Sequence, residues 1–441
     1  MLPRLLPLYF PSRDAEFDTQ LATLHELLAG HAEWLPPAPL GYPLPEAEAV
    51  LFPQMLGDAF RQLADFRQIH LPILIVTSEF GTLSMWDWEI RAYLRQEGVS
   101  TLAPYNLGQT RLLCKALGVR RALKQAKFLV YQDNPGQGFQ ASIFKRFYWW
   151  EDECIQRMEA KFGLRVVKKS FKELGAATQR LTDGQAEAVW QAWRERLNPG
   201  ALSPRQLYGA LKLYLAVKQD LAALGDVCAA GINCLNESHF SDTTPCLAWD
   251  MLHAENGLIW GCEADLVSML TMVILRQSLE APLMMTNLYP FLMGMAALKH
   301  EHIRGFPEVS EPQNCLLAAH CGYLGVLPRP YATECSLRPK VLAIVDDNAH
   351  AIDARLPVGD LTLVKLSPAF DTLSLVEAQL EGYVQYPGSH CLNGALLRVP
   401  EGRKLMENLV SHHYVLLTGH HRQSIELVSG VFGLKLDQNL L

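Results

Sequence analysis

The strongest constraint on this chain is a rhythm. Short apolar runs of strand length are each followed by a polar loop and an amphipathic helical stretch. Leu71-Pro72-Ile73-Leu74-Ile75-Val76-Thr77 has the pattern of a buried strand, stops at Ser78-Glu79-Phe80-Gly81, and gives way to a helix over Trp86–Glu97. A helix at Arg111–Lys124, a strand at Lys127–Gln132 with the loop Asn134–Gly138, a helix at Trp150–Phe162 and a strand at Leu164–Val167 continue it. Strand, loop and helix in repetition place successive strands parallel, with helices on the faces of the sheet. Upstream, Phe17–Leu28 reads as a helix, Trp34–Pro45 as a proline-rich loop and Glu46–Gln68 as a second helix. Met1–Phe10 is apolar but holds Pro3 and Pro7, so it reads as an edge strand rather than a signal peptide.

The rhythm then runs a second time. Thr182–Trp193 and Ser203–Leu224 are helical, Asp226–Cys234 is a strand leading to Glu237, and Pro245–Asn256 is a helix closed by Gly257. Leu258–Cys262 follows as a strand and Asp265–Leu279 as a helix. After Lys340 the pattern changes to short strands at Val341–Val345, Gly359–Leu366, Leu373–Gly382, Ala395–Val399 and His413–Thr418, with helices at Arg403–Val410 and Gln423–Phe432. The fold expected is α/β: two Rossmann-like α/β domains with parallel sheets, over residues 1–175 and 176–340, then a C-terminal β-rich, barrel-like domain over 341–441.

Composition excludes several classes. With 49% hydrophobic and 19% charged residues the chain can bury a large core. A net charge of -7 speaks against nucleic acid as the main partner. Ten cysteines are scattered without a CxxC pair, which fits no structural zinc pattern and suits a reduced, cytoplasmic protein. The most apolar late stretch, Leu283–Leu298, is interrupted by Asn287, Pro290 and Gly294 and falls short of the ~20 residues of a membrane span.

Candidate chemistry gathers at Gly261-Cys262-Glu263-Ala264-Asp265-Leu266, where two acids sit between an apolar strand and an apolar helix, with Glu237 upstream. Carboxylates at strand ends that converge on one cleft suit a divalent cation or a proton transfer. The alternative is a pair of surface acids favoured by a helix dipole. Asn134–Gly138 lacks the spacing of a phosphate-binding loop. Four of the fourteen histidines lie within ten residues, at His412, His413, His420 and His421. His413 and His420 flank a short apolar strand, where a neutral imidazole can ligate a metal, while His412 and His421 read as solvated turn residues. His300 and His302 read as ordinary polar residues at a helix end. His320 follows the strand-like Cys315–Ala319 and precedes Cys321-Gly322, a better position for a site. Trp86, Trp88, Phe139 and Tyr323 have the ring faces to pack on a sugar and are equally suited to a core.

Three of these segments together resemble the L-fucose isomerase / L-arabinose isomerase superfamily, particularly its shorter fucose-isomerase-like members. They are Ile232-Asn233-Cys234-Leu235-Asn236-Glu237 leading to Thr244-Pro245-Cys246, then Gly261–Leu266, then His412-His413-Tyr414-Val415-Leu416-Leu417-Thr418-Gly419-His420. Their order and spacing agree over about the last 210 residues. The resemblance implies a divalent-metal-dependent aldose–ketose isomerase. Its ion, usually Mn2+ with Mg2+ or Co2+ as alternatives, corresponds by position to Glu237, Asp265 and His413. Glu237 and Asp265 double as acid and base, and Glu263 supports the site or points away. His320, His420 and Trp86 stand as candidate substrate contacts. A free sugar is the implied partner and a homo-oligomer, trimer or hexamer, the implied assembly. Two alternatives stay open: a non-catalytic sugar-binding protein on the same fold, and a metal-dependent lyase or epimerase of a related sugar acid.

Overall fold

The structure, a computed structural model, describes residues 1–10, 13–54, 59–133, 152–291, 308–385 and 393–437. The loop Asn134–Gly138, Phe139, His300 and His302 lie outside these residues. The chain divides into two compact units. The first comprises Met1–Lys124, Gln277–Glu280 and Gln423–Lys435, and the second Gln125–Arg276, Ala281–Arg422 and Leu436–Leu441.

In the first unit, β1 (Arg4–Tyr9), β2 (Glu33–Trp34), β3 (Ala38–Pro39), β4 (Ala49–Phe52) and β5 (Ile73–Ile75) form a parallel sheet in the order β2-β1-β4-β5, with β3 also on β1. β1 is therefore an inner strand and not the edge strand expected. Pro7 is tolerated there because of where its missing N–H falls. Leu5 and Tyr9 accept from Leu35 and Leu40 on one side of β1, and Pro7 lies between them, where β2 has ended and β3 has not begun. The helix expected over Glu46–Gln68 is interrupted: Ala49–Phe52 is the buried strand β4, and among the described residues of this range the helical ones are the 3-10 turn Ala59–Arg61 and the α-helix Leu63–Gln68. Glutamate and alanine favour helix locally, but four consecutive residues buried within a sheet override that preference. Phe52 and Phe66 stack at 5.0 Å in the core between them.

In the second unit, β6 (Lys127–Tyr131), β7 (Arg165–Lys169), β8 (Val227–Ile232) and β9 (Ile259–Cys262) form a parallel sheet in the order β7-β6-β8-β9. The helix Pro204–Leu224 begins at a capping box between Ser203 and Gln206, with proline in its first turn. Gly231 and Gly261 are paired across β8 and β9. A Cβ on Gly261 would lie 2.4 Å from Met269 Sδ, so the glycine lets the helix Leu266–Leu279 settle directly on the sheet.

The rest of this unit is antiparallel. β10 (Leu283–Pro290), β11 (Cys315–Ala319), β14 (Gly359–Leu366), β15 (Thr372–Val384), β16 (Gly394–Arg398) and β17 (His413–Thr418) run in the order β14-β17-β10-β11-β16-β15. β15 then pairs back onto β14, so the six strands close into a barrel. β12 (Glu334–Pro339) and β13 (His350–Arg355) make a separate antiparallel pair, and Val341–Val345, expected as a strand, is part of the loop joining them. The expected boundaries move accordingly. A cut at 175 would part β6 and β7 from β8 and β9 of their own sheet, and a cut at 340 would take β10 and β11 out of the barrel. Backbone groups of a sheet or barrel are satisfied only when all neighbours are present. Among the described residues no helix is long and apolar enough to cross a membrane.

His350 opens β13 and is buried among hydroxyls. Its Nε2 accepts from the Leu247 N–H at 3.0 Å, and its Nδ1 is 3.3 Å from both Thr243 Oγ1 and Thr244 Oγ1. Burial lowers its pKa from 6.5 to about 4. Between those values the unfolded chain holds a proton that the folded protein does not, so stability is complete above pH 6.5 and falls as the pH drops. His350 alone accounts for about 3 kcal/mol of that loss. Urea unfolding at pH 7 and pH 4.5 should show a clearly smaller pH dependence in His350→Gln than in the parent protein; equal dependence would exclude a buried neutral His350.

Candidate metal centre

β9 stops at Cys262 because the next two residues turn left-handed. Glu263 has φ 55° and Ala264 φ 57°, a conformation that costs free energy for residues with a Cβ and tends to occur where function needs it. The turn is locked by the Ala264 N–H on Ile232 O and the Asp265 N–H on Cys262 O, each 3.0 Å. It delivers Asp265 to the start of the helix Leu266–Leu279. Asp265 Oδ1 accepts from the Ser268 N–H at 2.9 Å, as an N-cap does. The helix-terminus alternative thus describes one oxygen of this side chain.

The other oxygen is the hub of the site. Asp265 Oδ2 accepts from Ser268 Oγ at 2.7 Å and from Lys365 Nζ at 3.0 Å, and lies 2.9 Å from His413 Nδ1. Lys365 also donates to Ser268 Oγ at 2.7 Å. Barrel register explains how such distant residues meet. His413 pairs with Asn287, Asn287 with Ala319, and Val364 with Val415, so the end of β14, the start of β17 and the end of β11 share one rim. Lys365, His413 and His320 come from that rim, whereas Glu263 and Asp265 come from the carboxyl end of β9.

Asp265, Lys365 and His413 have no exposed surface. Burial alone would push the Asp265 carboxyl up; Lys365, then His413 and the Ser268 N–H, outweigh it and hold the group well below the usual carboxylate range. Burial pushes Lys365 down and Asp265 opposes that shift. Burial also works against protonation of His413, but Asp265 and Glu263 overcome it and raise its pKa to about 9. Glu263 Oε1 lies 3.7 Å from His413 Nε2, so the imidazole is bracketed by two carboxylates.

Glu263, His412 and His413 each offer one donor atom, all within 4.8 Å of one another. Two imidazoles and a carboxylate suit a first-row divalent ion. Asp265 holds His413 Nδ1 and directs Nε2 to the Glu263 side, the carboxylate–histidine–metal arrangement found behind many metal ligands, in which an ion would displace the Nε2 proton. His412, expected as a solvated turn residue, is half-buried, and its ring lies 4.2 Å from that of His413. Burial, then His413, lowers its pKa to about 3. His320 is buried with its ring 5.8 Å from His413, and burial lowers its pKa to about 4.

The residues singled out from the sequence thus divide. Asp265 and His413 are in direct contact, Glu263 and His412 complete the donor set, and His320 adjoins it. Asp265 stands behind the histidine rather than among the clustered donors, and Glu263, not Asp265, is the acid of that set. Glu237 is buried beyond β8, where both carboxylate oxygens lie 3.1 Å from the Asp133 N–H and Asn233 Nδ2 donates to Oε2 at 3.1 Å. It is not in the donor cluster. His420 is about half exposed, with Nε2 3.9 Å from Asp360. Trp86 belongs to the first unit and is 63% exposed, and Trp88 packs on that unit's core.

Sequence reasoning passed over Lys365 and Ser268. The signal for Lys365 was a cation on the same strand face as Leu361 and Leu363, in a run otherwise fit for a core. Ser268 could have been found as the third residue after a capping aspartate. No known protein-family model and no curated protein matches this chain.

Proposed function

We propose that the chain is a divalent-metal-dependent aldose–ketose isomerase of a free sugar, related to the L-fucose isomerase / L-arabinose isomerase superfamily. The observation that carries this is the meeting of His413, from the last barrel strand, with Asp265 and Glu263, from the turn after β9. Parallel α/β sheets followed by an antiparallel barrel also agree with it. Glu263, His412 and His413 would hold the ion, Mn2+ in the first instance, with Mg2+ or Co2+ as alternatives. When bound, such an ion polarises a carbonyl and neutralises charge on an enediolate.

The chain's own groups then have separate tasks. Asp265, held ionised under Lys365, Ser268 and His413, is a poor proton acceptor and serves to orient His413. Isomerisation needs an acid–base group to move a proton between adjacent carbons. In this proposal Glu237 keeps that task, fixed by the Asp133 N–H and Asn233. The assembly is proposed as a cytoplasmic homo-oligomer, trimer or hexamer.

The test is a screen of aldoses with the protein stripped by chelator and then reloaded with Mn2+. Ketose formation should vanish on stripping and return on reloading. Activity indifferent to both treatments would sink the proposal. A second reading, a sugar-binding protein without turnover, is favoured by the engagement of Glu237 with Asp133 and Asn233, which suits a carboxylate that braces a loop. It predicts sugar binding with no ketose under any metal.

A further inference from the structure

The carboxyl edge of the second unit's parallel sheet carries two amides that the metal centre does not use. Tyr131 on β6 pairs with Ile232 on β8, and Ile232 with Cys262 on β9. The residues that follow, Gln132, Asn233 and Glu263, therefore leave the sheet side by side. The ladder continues through them: the Asn233 N–H donates to Tyr131 O and the Ala264 N–H to Ile232 O, each 3.0 Å. The Tyr131 hydroxyl donates to Asp220 on the helix Pro204–Leu224 at 2.8 Å, so alternation directs Gln132 to the opposite face of the sheet.

Gln132 is 7% exposed, yet neither oxygen nor nitrogen of its amide has a hydrogen-bond partner among the described residues. Asn233 is fully buried and gives Nδ2 to Glu237, while its Oδ1 has no partner among them. Buried amide groups left unpaired are costly and call for an explanation. Their place supplies one. The chain runs outward from β6 to β7 and returns to β8 on the other side, so the strand order reverses between β6 and β8. The crevice beyond the carboxyl ends at such a reversal is where open α/β sheets receive small molecules.

We propose that Gln132 and Asn233 Oδ1 form a subsite for adjacent hydroxyls of a neutral polyol, positioning it beside Glu263. The inference rests on reading the metal centre as a sugar site. A hydroxyl both donates and accepts, so a vicinal diol can satisfy the Gln132 nitrogen, the Gln132 oxygen and Asn233 Oδ1 together. The carboxylates of Asp133, Glu237 and Glu263 along the same edge select against sugar phosphates and sugar acids. Gln132 and Asn233 are positioning residues in this scheme.

The test uses the full chain and Gln132→Met, with ribitol, xylitol and D-arabinitol as probes and ribonate as the anionic control, by calorimetry and thermal unfolding without metal. At least one pentitol should bind the parent protein more tightly than ribonate does. Gln132→Met should weaken that binding about tenfold or more. Without ligand the variant should melt several degrees higher, because an unpaired buried amide has been replaced by an apolar chain of similar length. A lower melting temperature, unchanged pentitol affinity, or no pentitol binding by the parent protein would overturn the subsite. Pentitol binding lost in Gln132→Met in a protein that makes no ketose with Mn2+ would leave the subsite standing and remove the isomerase proposal. Ketose formation unaffected by Gln132→Met would do the reverse.

Discussion

Replacing Lys365 with methionine is expected to destabilise the protein by about 3–5 kcal/mol, seen as a lower urea midpoint at unchanged slope. The size follows from burial. Lys365 and Asp265 are both fully enclosed, 3.0 Å apart, and removing the cation leaves an ionised carboxylate, out of reach of water, with only His413 and Ser268 to balance it. Methionine fills nearly the same space, so packing contributes little to the loss. Adding Asp265→Asn to the variant should recover part of the stability, because a neutral amide is cheaper to bury than a carboxylate that has lost one of its two cationic partners. A Lys365→Met midpoint equal to that of the parent would show that the two groups do not form a buried ion pair in solution.

The second large effect concerns metal affinity. His413→Gln is expected to abolish Mn2+ binding measured by calorimetry, since it removes a donor from the three-residue cluster. Asp265→Asn should retain binding but weaken it by about 10–100-fold, the usual cost of losing the carboxylate behind a ligating histidine. Glu237→Gln should leave Mn2+ affinity unchanged, keep the fold, and remove turnover. The three variants therefore separate a ligand, a residue that orients it, and an acid–base group outside the cluster. If Glu237→Gln lost as much affinity as His413→Gln, Glu237 would return to the ion and the donor assignment would be wrong.

Much of the fold was legible because local rules agree with the final structure. The helix expected over Ser203–Leu224 spans Pro204–Leu224, and the short apolar strand expected at His413–Thr418 is β17 with those bounds. Elements failed where local and tertiary preferences disagree, as in β4, whose glutamate- and alanine-rich approach looks helical. The barrel was legible as β-rich but not in its membership. Nothing in the composition of Leu283–Pro290 or Cys315–Ala319 says that they pair with strands so far along the chain. At the site, the sequence reading named Glu237, Asp265 and His413 as ligands, whereas the donor atoms the structure brings together belong to Glu263, His412 and His413. Period-2 alternation lapses when a strand ends, and here it ends in two left-handed residues that carry side chains, a conformation their residue types do not advertise.

The position of β17 bears on how the protein comes to exist. Asn287 and His413 are register partners separated by more than a hundred residues of chain, so β10 must present an open edge throughout the synthesis of everything between them. Pairings of such long sequence separation form late and slowly. The strand that closes the barrel is also the strand that begins with the centre's histidine, so closure and assembly of the donor set are one event. A nascent chain that has not reached residue 413 has neither a finished barrel nor a place for an ion. If the proposed ion binds only the closed form, it would hold the last strand in place by mass action, and its uptake would then mark the end of folding.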